Sequence, residues 1–147
     1  MQNDEVWMRL ALQEARLAAA EGEIPVGAVL VRDGQEVCRA HNLRENQHDP
    51  TAHAEILCMR RGAEKLGTWR LRGCTLYVTL EPCPMCAWAI LQARIKTVYF
   101  GSYDTKYGAF GSAIDLRNFS DVKPKVFGGI LEEKCDEILK KFFERLR

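Results

Sequence analysis

Two apolar, β-branched runs bracket one short helical pattern, and this arrangement restricts the fold more than any other feature of the sequence. Thr75–Leu80 (TLYVTL) and Thr97–Phe100 (TVYF) read as strands, with a helix over Pro82–Ala93 between them. Upstream, Val26–Val31 (VGAVLV) meets an Asp33-Gly34 turn and then a second run, Glu36–His41, which together signal a hairpin. Val126-Phe127 ahead of Gly128-Gly129 reads as a short last strand. Helical patterns cover Asp4–Glu21, Thr51–Leu66 and Leu131–Leu146. The first has an apolar face carrying Val6, Leu10 and Leu17, a cap at Asn3 or Asp4, and Gly22 as its stop. Strands that alternate with helices after an opening hairpin predict a central mixed sheet of five strands with helices on both faces, a three-layer α/β/α fold. No linker or repeat interrupts the chain, so residues 1–147 are expected to form one domain.

The six cysteines raise the question of redox setting. No apolar run approaches the ~18 residues of a membrane span, and the first ten residues, MQNDEVWMRL, are acidic and amphipathic rather than leader-like. The expected location is the cytoplasm, where thiols serve as metal ligands or buried apolar groups rather than disulfides. A net charge of +1 does not by itself announce a nucleic-acid binder.

Two short motifs carry chemistry: His53-Ala54-Glu55, and Pro82-Cys83-Pro84-Met85-Cys86. Each opens a predicted helix. Cysteines three apart share a helix face, and a helix N-terminus favours thiolate over thiol. His53, Cys83 and Cys86 thus make a zinc ligand set with one position left for water. Alone, the Cys-x-x-Cys pair is equally a redox pair or half of a structural site completed by Cys58 or Cys74. Residues i and i+2 lie on nearly opposite helix faces, so His53 and Glu55 reach one metal only if the first turn points at it end-on.

The combination of H-x-E with P-C-x-x-C resembles the signature of the zinc-dependent nucleobase deaminases. That resemblance implies one Zn²⁺ per chain on His53, Cys83 and Cys86, with Glu55 as proton carrier. The wider stretches His48–Glu55 (HDPTAHAE), Tyr77–Cys86 (YVTLEPCPMC) and Gly108–Ser112 (GAFGS) resemble the bacterial tRNA-specific adenosine deaminases over nearly the whole chain. Phe110 stands where that family's loop is expected to carry a small residue. The resemblance implies a cytidine-deaminase-like fold, conversion of adenosine to inosine at the wobble position of a tRNA anticodon stem-loop, and a homodimer.

Candidate substrate contacts follow. The resemblance assigns the target base to Asn42; as a bare residue, Asn42 is equally a turn former. Ala54 sits inside the first motif. Phe142, Phe143 and Arg145 belong to a terminal run that interleaves aromatics with bases, which suits stacking and phosphate contact but equally an amphipathic helix. Arg60, Arg61, Lys65, Arg70 and Arg72 add candidate phosphate contacts. Asp104 is expected either to accept a hydrogen bond from a sugar hydroxyl or to close its own turn. The helix over Pro84–Ile95 is apolar around most of its circumference, so one side is expected to meet the sheet and another a second subunit. Rival readings are a deaminase of a free nucleobase or nucleoside, of guanine or cytosine type, and a non-catalytic zinc module.

Overall fold

The computed structural model describes residues 4–146. Its elements run α1 (Asp4–Ala20), β1 (Gly27–Arg32), β2 (Gln35–His41), α2 (Ala54–Leu66), β3 (Cys74–Leu80), α3 (Pro84–Gln92), β4 (Thr97–Ser102), a 3-10 turn at Leu116–Phe119, β5 (Lys125–Phe127) and α4 (Glu132–Arg145). The sheet order is β2-β1-β3-β4-β5. β1 is antiparallel to both β2 and β3, whereas β3, β4 and β5 run parallel. The mixed five-stranded sheet expected from the sequence is present. α2 and α3 cover one face over the larger core, and α1 and α4 cover the other around Met8, Leu12, Val29, Tyr77 and Cys135.

The topology decides where a site can form. Gly27 pairs with His41, and Ala28 with Val78. The start of β1, the end of β2 and the C-terminal ends of β3 and β4 therefore meet at one edge. Loops leaving the carboxyl ends of parallel strands leave a crevice there.

Several local expectations are corrected. α1 buries Met8, Ala11, Leu12, Ala15 and Ala18, leaving Val6 and Leu17 exposed and Leu10 only partly covered. The alanine face wins because it lets α1 lie directly on β1. A Cβ at Gly27 would run into the Ala11 carbonyl and the Ala15 amide, so only glycine permits that approach. Asp4 is the first helical residue, and its carboxylate accepts a hydrogen bond from the Tyr77 hydroxyl at 2.7 Å; Asn3, the other proposed cap, lies outside the described residues. β4 continues through Gly101, where a Cβ would strike Cys135, so that glycine makes room for α4 rather than ending the strand.

The basic residues of α2 also find structural work. β2 is an edge strand with unpaired carbonyls on its outer side. Arg61 donates to the Arg39 carbonyl at 2.8 Å and Lys65 to the Val37 carbonyl at 2.9 Å. They blunt the edge against further strand pairing, at the far end of α2 from its N-terminus. Arg70 stacks 4.3 Å over the Trp69 ring. Arg60 and Arg72 are exposed.

Candidate metal centre and cavity

Helices α2 and α3 each begin on a residue whose side chain does not cap them. His53 is the N-cap of α2 (φ −72°, ψ 152°) and Cys83 the N-cap of α3 (φ −74°, ψ 173°), and neither makes a side-chain cap hydrogen bond. An N-cap side chain is normally spent on the helix's own orphan N–H groups. Here both are turned toward each other. The helices start three and two residues later than the sequence pattern suggests. Asp49 folds residues 49–51 into a turn by accepting from the Thr51 amide and hydroxyl. Pro84 at the first helical position keeps Cys83 extended. With His53 outside the helix and Glu55 in its first turn, the two need not lie on opposite faces, and the end-on geometry is met.

His53 Nδ1 lies 3.7 Å from Cys83 Sγ and 3.5 Å from Cys86 Sγ. All three ligand atoms fall within 4.8 Å of one another. A tetrahedral zinc with ordinary bond lengths needs sulfur and nitrogen about 3.5 Å apart, so the donor set and its spacing fit Zn²⁺. Among the described residues no fourth protein ligand joins the cluster. Cys58 instead faces Cys38, with 3.8 Å between the sulfurs, and Cys74 is buried in the core, which removes both proposed fourth ligands. A hydrogen bond from Cys86, aided by His53 and opposed by burial, draws the Cys83 thiol down to about 4. Cys86 is driven the opposite way, first by that shared hydrogen bond and then by burial. Glu55 is almost fully enclosed, and burial pushes its carboxyl up to about 7.

The cluster lies on a cavity of about 460 Å³ whose lining includes Asn42, His53, Ala54, Glu55, Cys83 and Asp104. Asn42 is buried at its wall, donating to the Ile24 carbonyl at 3.2 Å and accepting from the Arg44 amide at 3.1 Å. Asp104 reaches the cavity but spends Oδ1 on the amides of Lys106 and Tyr107, both at 3.0 Å, so the turn role is real. Phe143 enters the lining while Phe142 is buried, its ring edge-on to Phe143 at 5.5 Å. Arg145 is exposed on the last turn of α4 and stands outside the lining, and Arg147 falls outside the described residues. Phe110 packs into the larger core.

Sequence reasoning missed two buried carboxylates that hold the cavity walls. Glu23 accepts from the amides of Glu45 and Asn46 and from the Asn46 side chain, which fixes the loop after β2. Glu81 accepts from the amides of Asp104, Phe110 and Ser112 and from the Ser112 hydroxyl, which fixes the loop after β4. Gly108 packs so closely on Glu81 that a Cβ there would overlap the carboxylate. No local pattern in the sequence announces either one. Tyr107, Arg44 and Leu139 also line the cavity.

Two outcomes are expected. Elemental analysis should find about one zinc per chain, the count for a single such site, and Cys83→Ala should lose it. Burial raises the Glu23 carboxyl, but its N–H donors outweigh this and hold it below its ordinary 4.5. A carboxylate depressed on folding stabilises above its unfolded pKa and loses that contribution as pH falls through the folded value. Glu23→Gln should therefore cost on the order of 1–3 kcal/mol at neutral pH. The gap to the parent in urea unfolding should close below pH 4.5; a gap independent of pH would remove the charge from the explanation.

The sequence profile of the cytidine and deoxycytidylate deaminase zinc-binding region matches residues 1–102. The chain is 47% identical to a tRNA-specific adenosine deaminase of Bacillus subtilis over 150 residues, covering 100% of this chain and 92% of the relative. It is 50% identical to that of Haemophilus influenzae over 149 residues, covering 98% and 85%. A solved structure from a study of A-to-I editing by tRNA:A34 deaminases at the wobble position of transfer RNA superposes with a TM-score of 0.85 at 47% identity, covering 91% of this chain and 99% of the other. With its ligand cluster, its sheet and this likeness agreeing, the chain belongs to the cytidine and deoxycytidylate deaminase zinc-binding family.

Proposed function

We infer that the chain is a zinc-dependent tRNA adenosine deaminase that hydrolyses adenosine to inosine at the anticodon wobble position. The observation that carries the chemistry is the cluster of His53, Cys83 and Cys86, with His53, Cys83 and the enclosed Glu55 all lining one open cavity. The substrate follows from the full-length likeness to tRNA-specific adenosine deaminases. Residues 1–147 act as one deaminase domain on this reading.

The reaction adds water to C6 of the purine and releases ammonia. His53, Cys83 and Cys86 would hold the metal. When bound, zinc supplies one thing, a lowered pKa for a water molecule. Glu55 accepts one proton from the attacking water and passes it to the ring nitrogen N1, then takes the remaining proton of the oxygen added at C6 and delivers it to the departing amine, which leaves as ammonia. A carboxyl with a value near 7 is suited to both halves of that work. Asn42 is the group we assign to the base: its amide is oriented by Ile24 and Arg44, leaving one donor and an acceptor lone pair for the ring edge. Ala54, with no side chain beyond Cβ, leaves room for the purine. Asp104 offers its second oxygen to a ribose hydroxyl, and Phe143 offers its ring to the RNA with Phe142 packed behind it. Arg145 is left as a phosphate contact on the exposed end of α4.

The reading extends to a homodimer joined through α3. Met85 and Trp88 lie one turn apart on its outer side and remain 37% and 40% exposed, a cost that a second copy would relieve. It also puts the enzyme in the cytoplasm, alongside tRNA and in keeping with six free cysteines. No helix of the described residues is long and apolar enough to cross a membrane.

Zinc-loaded protein should deaminate an anticodon stem-loop carrying a wobble adenosine far better than free adenosine, cytidine or guanine. Fast turnover of free guanine or cytidine would favour the rival class. Glu55→Ala should retain zinc and fold yet lose at least ~10²-fold in rate. On a matched DNA hairpin, Asp104→Asn should narrow the RNA-over-DNA preference in kcat/KM; an unchanged ratio would leave Asp104 a turn residue. In light scattering, Trp88→Glu should halve the mass of the particle, and a parent that is already monomeric would remove the dimer.

A further inference from the structure

We propose that Tyr107 forms a second nucleobase subsite at the cavity mouth, where its ring stacks on the base adjacent to the one being deaminated; this rests on the reading of the substrate as a structured RNA. Tyr107 lines the cavity and is nevertheless 57% exposed. On the wall from α4, Phe143 is 44% exposed. A flat aromatic left open at a mouth of this kind offers its face to whatever enters.

The backbone that carries the ring is also fastened. The Tyr107 amide donates to Asp104 Oδ1 at 3.0 Å, and the Gly108 amide donates to the Asp104 carbonyl at 2.8 Å. Glu81 accepts from the Asp104 amide at 3.1 Å and anchors the same turn from below. Gly108 is locked against both groups. The Asp104 turn thus presents Tyr107 at the rim, which gives that turn a purpose beyond closing the loop. Lys106 Nζ lies over one face of the Tyr107 ring, 5.2 Å from its centroid, which puts a cation at the platform and assigns the base to the opposite face. A stacking face next to a positive charge matches one nucleotide, base and phosphate together.

The substrate supplies the matching need. A base drawn into the cavity leaves its neighbour without a stacking partner on one side. That neighbour stays at the mouth because the backbone tethers it there. A tyrosine replaces the lost stack without reading sequence, since every base has a π-face.

The test is steady-state kinetics of zinc-loaded enzyme on three RNAs. One is the intact anticodon stem-loop; the others carry an abasic residue on the 5′ or the 3′ side of the target adenosine. Tyr107→Ala should raise KM about tenfold with kcat within about twofold, the worth of one lost base–aromatic stack, while Tyr107→Phe stays near the parent. One abasic RNA should impose the same rise on the parent and no further rise on Tyr107→Ala. Zinc content and thermal unfolding of Tyr107→Ala should match the parent. An equal Tyr107→Ala penalty on all three RNAs would assign the ring to the target base or the loop, and no penalty would dismiss the subsite. If the unsubstituted enzyme fails to convert the intact stem-loop, the substrate reading falls and the subsite with it; conversion by the parent separates that failure from failure at Tyr107.

Discussion

Two helix starts facing each other without caps are the constraint from which the rest of the site follows. His53 and Cys83 hold the N-cap positions of α2 and α3 but give neither helix a side-chain acceptor. Losing such a cap costs a helix about 0.5–2 kcal/mol. Both helices tolerate it because each is fastened elsewhere. α2 lies under β1 and β2, and α3 is buried through Cys86, Ala87, Ile90 and Leu91. The uncapped positive ends of two helix dipoles then converge on one point, a setting that favours thiolate on Cys83. The sheet makes the convergence possible: α3 follows β3 directly, and α2 starts at the edge where β2 ends.

Three buried glutamates around the cavity show how donor count decides what a carboxylate does. Glu23 has amide donors from Glu45 and Asn46 and is held ionised below its ordinary value. Glu81 gathers three amides and a hydroxyl from the loop after β4. Both are spent on structure, each tying a loop to the cavity wall. Glu55 is just as enclosed but lacks such a cradle, so burial dominates and its carboxyl rises to about 7. A proton carrier must be able to hold and release its proton, and on the proposed reading of Glu55 as that carrier the missing cradle leaves it free to do so.

Much of this was legible in the residues. Asp33-Gly34 marked the hairpin, and both residues take positive φ there. The strand runs and the ligand triad were read where they are found. The helix starts were misplaced, although Pro84 carried the needed signal: a residue before proline avoids helical angles, which makes Cys83 a cap rather than a helical residue. The face of α1 was misread because Val6 and Leu17 look more apolar than alanine, while close approach to Gly27 rewards small side chains. Arg61 and Lys65 looked like phosphate contacts because sequence does not show which strand will be an edge. Glu23 and Glu81 were invisible for a related reason. Their partners lie 22 to 31 residues away in sequence, and no local pattern announces a loop that will fold back onto them.

The shape of the cavity bears on the choice between a free base and a base within RNA. A site that binds a small ligand tightly normally encloses most of its surface. Here the floor is closed by Glu55, Ala54 and Asn42, whereas the mouth is framed by Phe143 and Tyr107, which stay 44% and 57% exposed. A free purine would touch the floor and leave those rings in water. A base carried by a strand brings its backbone and neighbours to the mouth, where exposed rings and the Lys106 cation have something to meet. On the proposed assignment of Asn42 and Glu55 to the target base, binding energy from those remote contacts holds that base in the geometry the reaction needs, which a free nucleobase cannot supply. The open mouth is therefore a selective feature: it leaves the catalytic floor under-used by any substrate too small to reach the rim.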